Sequence, residues 1–134
     1  MIYILDTNIC SFIIKNKPII VTKRLKEVSD GNRIVLSSIV VSELMYGAYK
    51  KGSDKLIDLV SKFIGFFEVV NFDVNAAIEY GKIKTNLEKK GVVIGAYDLQ
   101  IAAHAKSIEA ILVTNNTREF KRVEGLKIED WIVE

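Results

Sequence analysis

Ile2-Tyr3-Ile4-Leu5-Asp6-Thr7-Asn8 decides how the rest of the chain is read. Ile2–Leu5 is a continuous apolar run of strand length. A strand that does not alternate polar with apolar is buried on both faces, as in a parallel sheet. Asp6 follows at once, and Thr7 or Asn8 can cap a helix that runs to about Lys15. A buried strand passing directly into a helix is the opening move of an α/β chain.

The downstream sequence repeats the move. A helical pattern extends from Pro18 to about Val28, with proline tolerated in the first turn, and Asp30-Gly31-Asn32 turns the chain. Ile34–Leu36 reads as a second strand, and Ser37 or Ser38 caps a helix through about Lys50. Ser53–Phe66 is helical, with Leu56, Leu59, Val60, Phe63 and Phe67 on one face. Val69–Phe72 is a third strand, followed by a helix over Val74–Lys89 that Asp73 caps and Gly91 closes. A helix from about Tyr97 to Ser107, a strand Ile111–Thr114 and a short strand near Leu126–Ile128 complete the chain. The pattern predicts an α/β fold in three layers, helices on both faces of a central, mostly parallel sheet. No linker, low-complexity tract or repeat divides the sequence, so residues 1–134 read as one domain.

Composition narrows the class. Hydrophobic residues make up 49% and charged residues 27%, enough apolar surface for a core without staples. Cys10 is alone and cannot close an internal disulfide, which points to a reducing, cytoplasmic compartment. The first apolar run is short and interrupted by Asp6, which argues against a secretory leader. No run approaches the roughly 20 apolar residues that span a bilayer. The net charge of +2 permits a nucleic-acid substrate without arguing for one.

In a parallel sheet the chemistry collects beyond the carboxyl ends of the strands. Asp6 is the only charged residue between Met1 and Ile14, and Glu43 the only one between Arg33 and Lys50. Asp98 stands alone between Lys90 and Lys106, apart from the titratable His104. An ionised carboxylate in apolar surroundings is costly unless something pairs with it. None of the three has a cationic neighbour in sequence, so a shared divalent cation is the simplest partner. Helix capping by Asp6 or Asp98, and a solvated helix face for Glu43, are the plainer alternatives. Glu119 follows the strand Ile111–Thr114 but sits among Arg118, Lys121 and Arg122, so a site residue and an ordinary surface charge both stay open. Carboxylate oxygens suit hard cations such as Mg2+ or Mn2+, whereas zinc would want His or Cys ligands that the chain lacks at ligand spacing. Such a cation activates water and steadies a developing phosphoryl charge, which suits phosphodiester hydrolysis.

Leu5-Asp6-Thr7-Asn8, Ser38 to Gly47 (Ser-Ile-Val-Val-Ser-Glu-Leu-Met-Tyr-Gly), Ile94 to His104 (Ile-Gly-Ala-Tyr-Asp-Leu-Gln-Ile-Ala-Ala-His), Val113 to Phe120 (Val-Thr-Asn-Asn-Thr-Arg-Glu-Phe) and the ending Ile128-Glu129-Asp130-Trp131 resemble the VapC toxins of the PIN-domain family in order and spacing. The resemblance covers essentially the whole chain. It implies a PIN fold, Mg2+-dependent endoribonuclease activity, silencing by a VapB antitoxin, and a homodimer. By position it makes Asp6 and Asp98 the main metal ligands. Glu43 would complete the acidic cluster and help position metal and water, with Asn8 and Thr114 supporting that shell. Asn116 stands where many PIN domains carry an acid and the family's final acid is here Glu119, so the fourth position of the site is open. Within the family the Ser-Ile to Tyr-Gly and Thr-Asn-Asn segments point to transfer RNA, specifically the anticodon loop of initiator transfer RNA.

Other residues have competing roles. His104, in an Ala-rich helix, reads as a packed core residue before a general base. Tyr46, Tyr49 and Tyr97 offer rings for stacking on bases, but core packing is expected for at least two of them. Lys50, Lys51 and Lys55, and Lys82, Lys84, Lys89 and Lys90, read as solvated faces able to touch an RNA backbone. The competing function is a catalytically idle PIN-like domain that only binds RNA or protein, which intact Asp6, Glu43 and Asp98 count against. A haloacid-dehalogenase-like phosphatase would want an Asp where Asn8 stands, and a dinucleotide-binding fold would want glycines after the first strand.

Overall fold

The computed structural model describes residues 1–133. Its elements are β1 (Ile2–Leu5), α1 (Thr7–Lys15), α2 (Ile19–Ser29), β2 (Arg33–Ser37), α3 (Ser38–Lys51), α4 (Asp54–Gly65), β3 (Glu68–Val70), α5 (Val74–Lys89), α6 (Ala96–Ser107), β4 (Ile111–Val113), α7 (Thr117–Phe120) and β5 (Lys127–Glu129). The five described strands form one sheet in the order β3-β2-β1-β4-β5, every pair parallel. Helices flank it, as the unbroken apolar strands require. The chain winds outward from β1 through β2 to β3, then returns to place β4 on the other side of β1. The gap between the carboxyl ends of β1 and β4 is therefore the topological switch point, where α/β sheets open a crevice.

The core is built on that centre. Ile4, Leu5, Val35, Leu36, Leu112 and Val113 of the three middle strands are essentially buried. On α6, Leu99 and every residue from Ile101 to Ala105 are buried, so this helix runs through the protein with little exposed face. Trp131 is fully buried beside Tyr3, with ring centroids 6.2 Å apart, and secures the end of the chain against β1.

Three local expectations change. The cap of α1 is Asp6, not Thr7 or Asn8: its Oδ1 accepts the Thr7 N–H at 2.8 Å. The third strand is Glu68–Val70 instead of Val69–Phe72, in register with Val35–Ser37. The Phe72 N–H bonds to Ser38 Oγ at 3.0 Å, which draws the chain out of the ladder. Tyr46 and Tyr49 are 60% and 62% exposed, not core residues. The buried stripe of α3 is Val40, Leu44 and Ala48, spaced by one helical turn, and it turns both rings outward.

His104 is a core residue. Its Nδ1 lies 2.7 Å from Ser37 Oγ, and the Phe72 ring packs edge-on at 5.6 Å. Burial holds its pKa below the ordinary value. His104→Ala should therefore cost about 1–3 kcal/mol, the penalty of a lost buried polar contact. The catalytic rate per folded molecule should stay unchanged, as thermal melts combined with active-site-normalised assays would show.

Candidate active site

Asp6 leaves β1 at the switch point and is 4% exposed. Its Oδ1 is bound to Thr7 N–H, and its Oδ2 accepts the hydroxyl of Thr114 at 2.9 Å. Thr114 is the residue just past β4, so the two strand ends are tied directly across the crevice. Neither contact brings a positive charge. Burial raises the pKa of Asp6 against the pull of its two donors. One residue thus both caps a helix and presents a buried acid, so the capping alternative and the site alternative describe the same carboxylate.

Asp98 arrives from α6. It is in the first turn, and the N-cap is Gly95, whose position has no side-chain cap bond. Asp98 is therefore not the cap, and its carboxylate is free for other work. Asn116 Nδ2 lies 3.2 Å from Asp98 Oδ2 and 3.0 Å from Glu119 Oε2. The Asn116 N–H bonds to Thr114 Oγ1 at 3.0 Å. Burial first, then Glu119, then the charge of Asp6, push the Asp98 carboxyl up to about 7. Glu119 moves the other way, lowered by the Gly95 N–H and by Asn116.

The remaining candidates stand further out. Glu43 is exposed on the second turn of α3, though its charge reaches the Tyr97 hydroxyl. Tyr97 is half-buried and its hydroxyl is hydrogen-bonded to Thr7 Oγ1. Asn8 bonds Asn115 Oδ1 at 3.3 Å across the strand ends, not Asp6. Among the described residues no three acidic, His or Cys side chains are already drawn together as a cation cage. The donor chemistry nevertheless fits a hard divalent ion. Asp6 and Asp98 supply carboxylate oxygens, both carry raised pKa values, and no Lys or Arg forms a salt bridge with either among the described residues. Beside them an apolar groove of about 280 Å³ runs between α1, α3 and α4, lined by Ile14, Leu44, Ala48, Leu56 and Val60 and reaching Thr7 and Glu43.

The model of the PIN domain matches residues 3–126 of this chain. The chain belongs to the PIN-domain family. Within it, this PIN domain is of the VapC type. It is 44% identical over 130 residues to the tRNA(fMet)-specific endonuclease VapC of Salmonella typhimurium, spanning 96% of this chain and 97% of that one. It is 42% identical over 132 residues to ribonuclease VapC2 of Rickettsia felis, spanning 98% of each. The crystal structure of Rickettsia felis VapBC2 bound to a DNA fragment from its promoter superposes with a TM-score of 0.92 at 41% identity, over 98% of this chain and 99% of that one. DNA-bound VapBC from Salmonella typhimurium gives 0.89 at 43% identity, over 98% of each. The PIN fold expected from the motifs is the fold observed.

Two features of this PIN domain escaped the sequence. Nothing marks Gly95 as a donor to Glu119, because a separation of 24 positions gives no periodic cue. The Thr7–Tyr97 contact is equally non-local, although a tyrosine directly before a candidate acid is a signal that can be followed.

Proposed function

We propose that this PIN domain is a divalent-cation-dependent endoribonuclease acting as the toxin of a VapBC pair, with transfer RNA as substrate and initiator transfer RNA favoured. The observation that carries the chemistry is the pair Asp6 and Asp98, presented at the β1–β4 switch point with no cationic partner among the described residues. The names of its Salmonella and Shigella relatives, both tRNA(fMet)-specific endonucleases, support the substrate. The antitoxin partner draws support from relatives solved as VapBC complexes. A homodimer is the expected assembly.

Asp6 and Asp98 would hold Mg2+ or Mn2+, with Glu43 at the rim completing the acidic set. When bound, the cation supplies Lewis acidity that activates water and offsets the charge growing on the phosphate. The chain's own part is orientation. Thr114 donates to one oxygen of Asp6 and Thr7 N–H to the other, so the buried carboxylate cannot rotate freely. Asn116 directs an N–H at Asp98 from the same loop. Water attacks phosphorus, the bond to the leaving ribose oxygen breaks, and that oxygen takes up a proton.

Purified protein incubated with transfer RNA should cut it in the presence of Mg2+ and stop on addition of EDTA. Mapping RNA ends after a brief pulse of expression should place the new ends in an anticodon loop. Intact transfer RNA after such a pulse, with cuts in ribosomal RNA, would redirect the substrate assignment. No cleavage of any RNA by folded, Mg2+-supplied protein would favour the idle binding domain.

A further inference from the structure

Both oxygens of Glu119 are taken. Oε1 accepts the Gly95 N–H at 2.8 Å, and Oε2 accepts Asn116 Nδ2 at 3.0 Å. Gly95 is the N-cap of α6, with φ of −59° and no side chain to serve the first turn. Helix starts leave unpaired N–H groups that normally find a local cap. Here an acid from a distant loop takes the Gly95 donor. Its negative charge also suits the helix N-terminus.

We propose that Glu119 is a positioning residue. It latches the start of α6 through the Gly95 N–H and, with Asn116, aims the Asp98 carboxylate, instead of entering the coordination of the cation. A carboxylate oxygen that accepts one hydrogen bond keeps a lone pair, as the two bonded oxygens of Asp6 do. What sets Glu119 apart is direction: its oxygens are drawn to the start of α6 and to the Asn116 amide, and hydrogen bonds to an ionised acceptor are the strong ones. The loop is tied back as well: Asn116 N–H is held by Thr114 Oγ1, the same hydroxyl that donates to Asp6. One short network therefore sets both acids.

A Cβ built on Gly95 would lie 4.0 Å from Glu119 Oε1, an ordinary contact. The latch thus needs the N–H of residue 95, not the absence of a side chain there. Gly95→Ala keeps that N–H. Gly95→Pro removes it at a φ that proline adopts, displaces the Glu119 carboxylate and alters no acid.

The consequence for cleavage rests on the proposed metal-dependent reaction, but the latch is measurable without it. In metal-free protein, hydrogen exchange at the Gly95 amide should be at least about 10-fold faster in Glu119→Ala and near wild type in Glu119→Gln, which keeps an acceptor. Mn2+ affinity by calorimetry should change less than about 3-fold in either variant, against a loss of about 10-fold or more in Asp6→Asn. Cleavage should fall roughly 10–100-fold in Glu119→Ala, the range for groups that orient metal ligands, and less in Glu119→Gln. Gly95→Pro should match Glu119→Ala, and Gly95→Ala should match wild type. Mn2+ binding weakened in Glu119→Gln as far as in Asp6→Asn would overturn the proposal, as would a Gly95 amide that exchanges at the wild-type rate in Glu119→Ala. If wild type cleaves no RNA, the ribonuclease reading fails while the exchange and affinity data still decide the latch.

Discussion

Asp98→Asn should drop RNA cleavage to background, by a factor on the order of 10³ or more, and at the same time should stabilise the metal-free protein at neutral pH. The first effect follows from removing one of the two carboxylates that the Thr114–Asn116 loop holds, on the scale at which charge-stabilising groups act. The second follows from what holds Asp98 in the folded chain. Its carboxyl is pushed up to about 7 from an ordinary 3.8, chiefly by burial, then by Glu119 and Asp6. A carboxyl whose pKa is raised on folding keeps its proton more tightly in the native state than in the unfolded one. Its contribution is therefore fully present below about pH 4 and is lost as pH rises toward 7. The buried Asp6 adds in the same direction. Metal-free wild type should melt at a higher temperature at pH 5.5 than at pH 7.5. Mg2+ should remove much of that difference, because the cation displaces the proton and stabilises the state that binds it. In Asp98→Asn both the pH slope over this window and the Mg2+ response should shrink. Glu119 shifts the opposite way, so its loss of stability begins only at more acidic pH. Calorimetric melts at the two pH values, with and without Mg2+, check the stability half. Wild-type cleavage by well-folded Asp98→Asn would sink the assignment of the acids.

That double signature comes from residues whose isolation is plain in the sequence. Asp6 and Asp98 are lone charges in apolar runs, and a lone charge in a core segment demands a partner wherever the fold sends it. The strands were legible because Ile2–Leu5 and Ile34–Leu36 are unbroken apolar runs. His104 was legible as core for the same reason, since its neighbours in α6 are all small or apolar. What could not be read are contacts made by a side chain outside its own element. Glu119 sits among three basic residues, yet its carboxylate turns away to Gly95 and Asn116. Strand β3 ends two residues early because of Ser38, a residue in a different element. Tyr46 and Tyr49 face solvent although the apolar residues of α3 spread over more than one of its faces. Only packing decides which stripe of such a helix is buried.

Expression of this chain alone should arrest growth within a few generations, and co-expression of the reading frame beside its gene should restore it. The structure gives this expectation a physical form. The groove between α1, α3 and α4 takes an apolar wall from Ile14, Leu44, Ala48, Leu56 and Val60, is also lined by Lys15 and Lys51, and reaches Thr7 and Glu43. Such a groove accepts the apolar face of a helix. A segment continuing from it over the crevice would meet carboxylates that lack a cation, and an Arg there would take up the charge-balancing role of the metal through strong, charge-assisted bonds. Inhibition then needs both parts. Widening the groove by Leu44→Ala should weaken the complex through lost apolar contact. Asp6→Asn should weaken it through lost charge and should make that contribution less sensitive to salt. The informative comparison is three cultures: the chain alone, the chain with its neighbour, and Asp6→Asn alone. Arrest only in the first ties toxicity to the acids and rescue to the partner. Equal growth in all three, with soluble protein confirmed in each, would count against a toxin and favour a PIN domain that binds without cutting. Arrest by Asp6→Asn as well would mean that growth stops through binding and not through cleavage. That outcome separates the catalytic site from the groove more sharply than any assay on the purified chain.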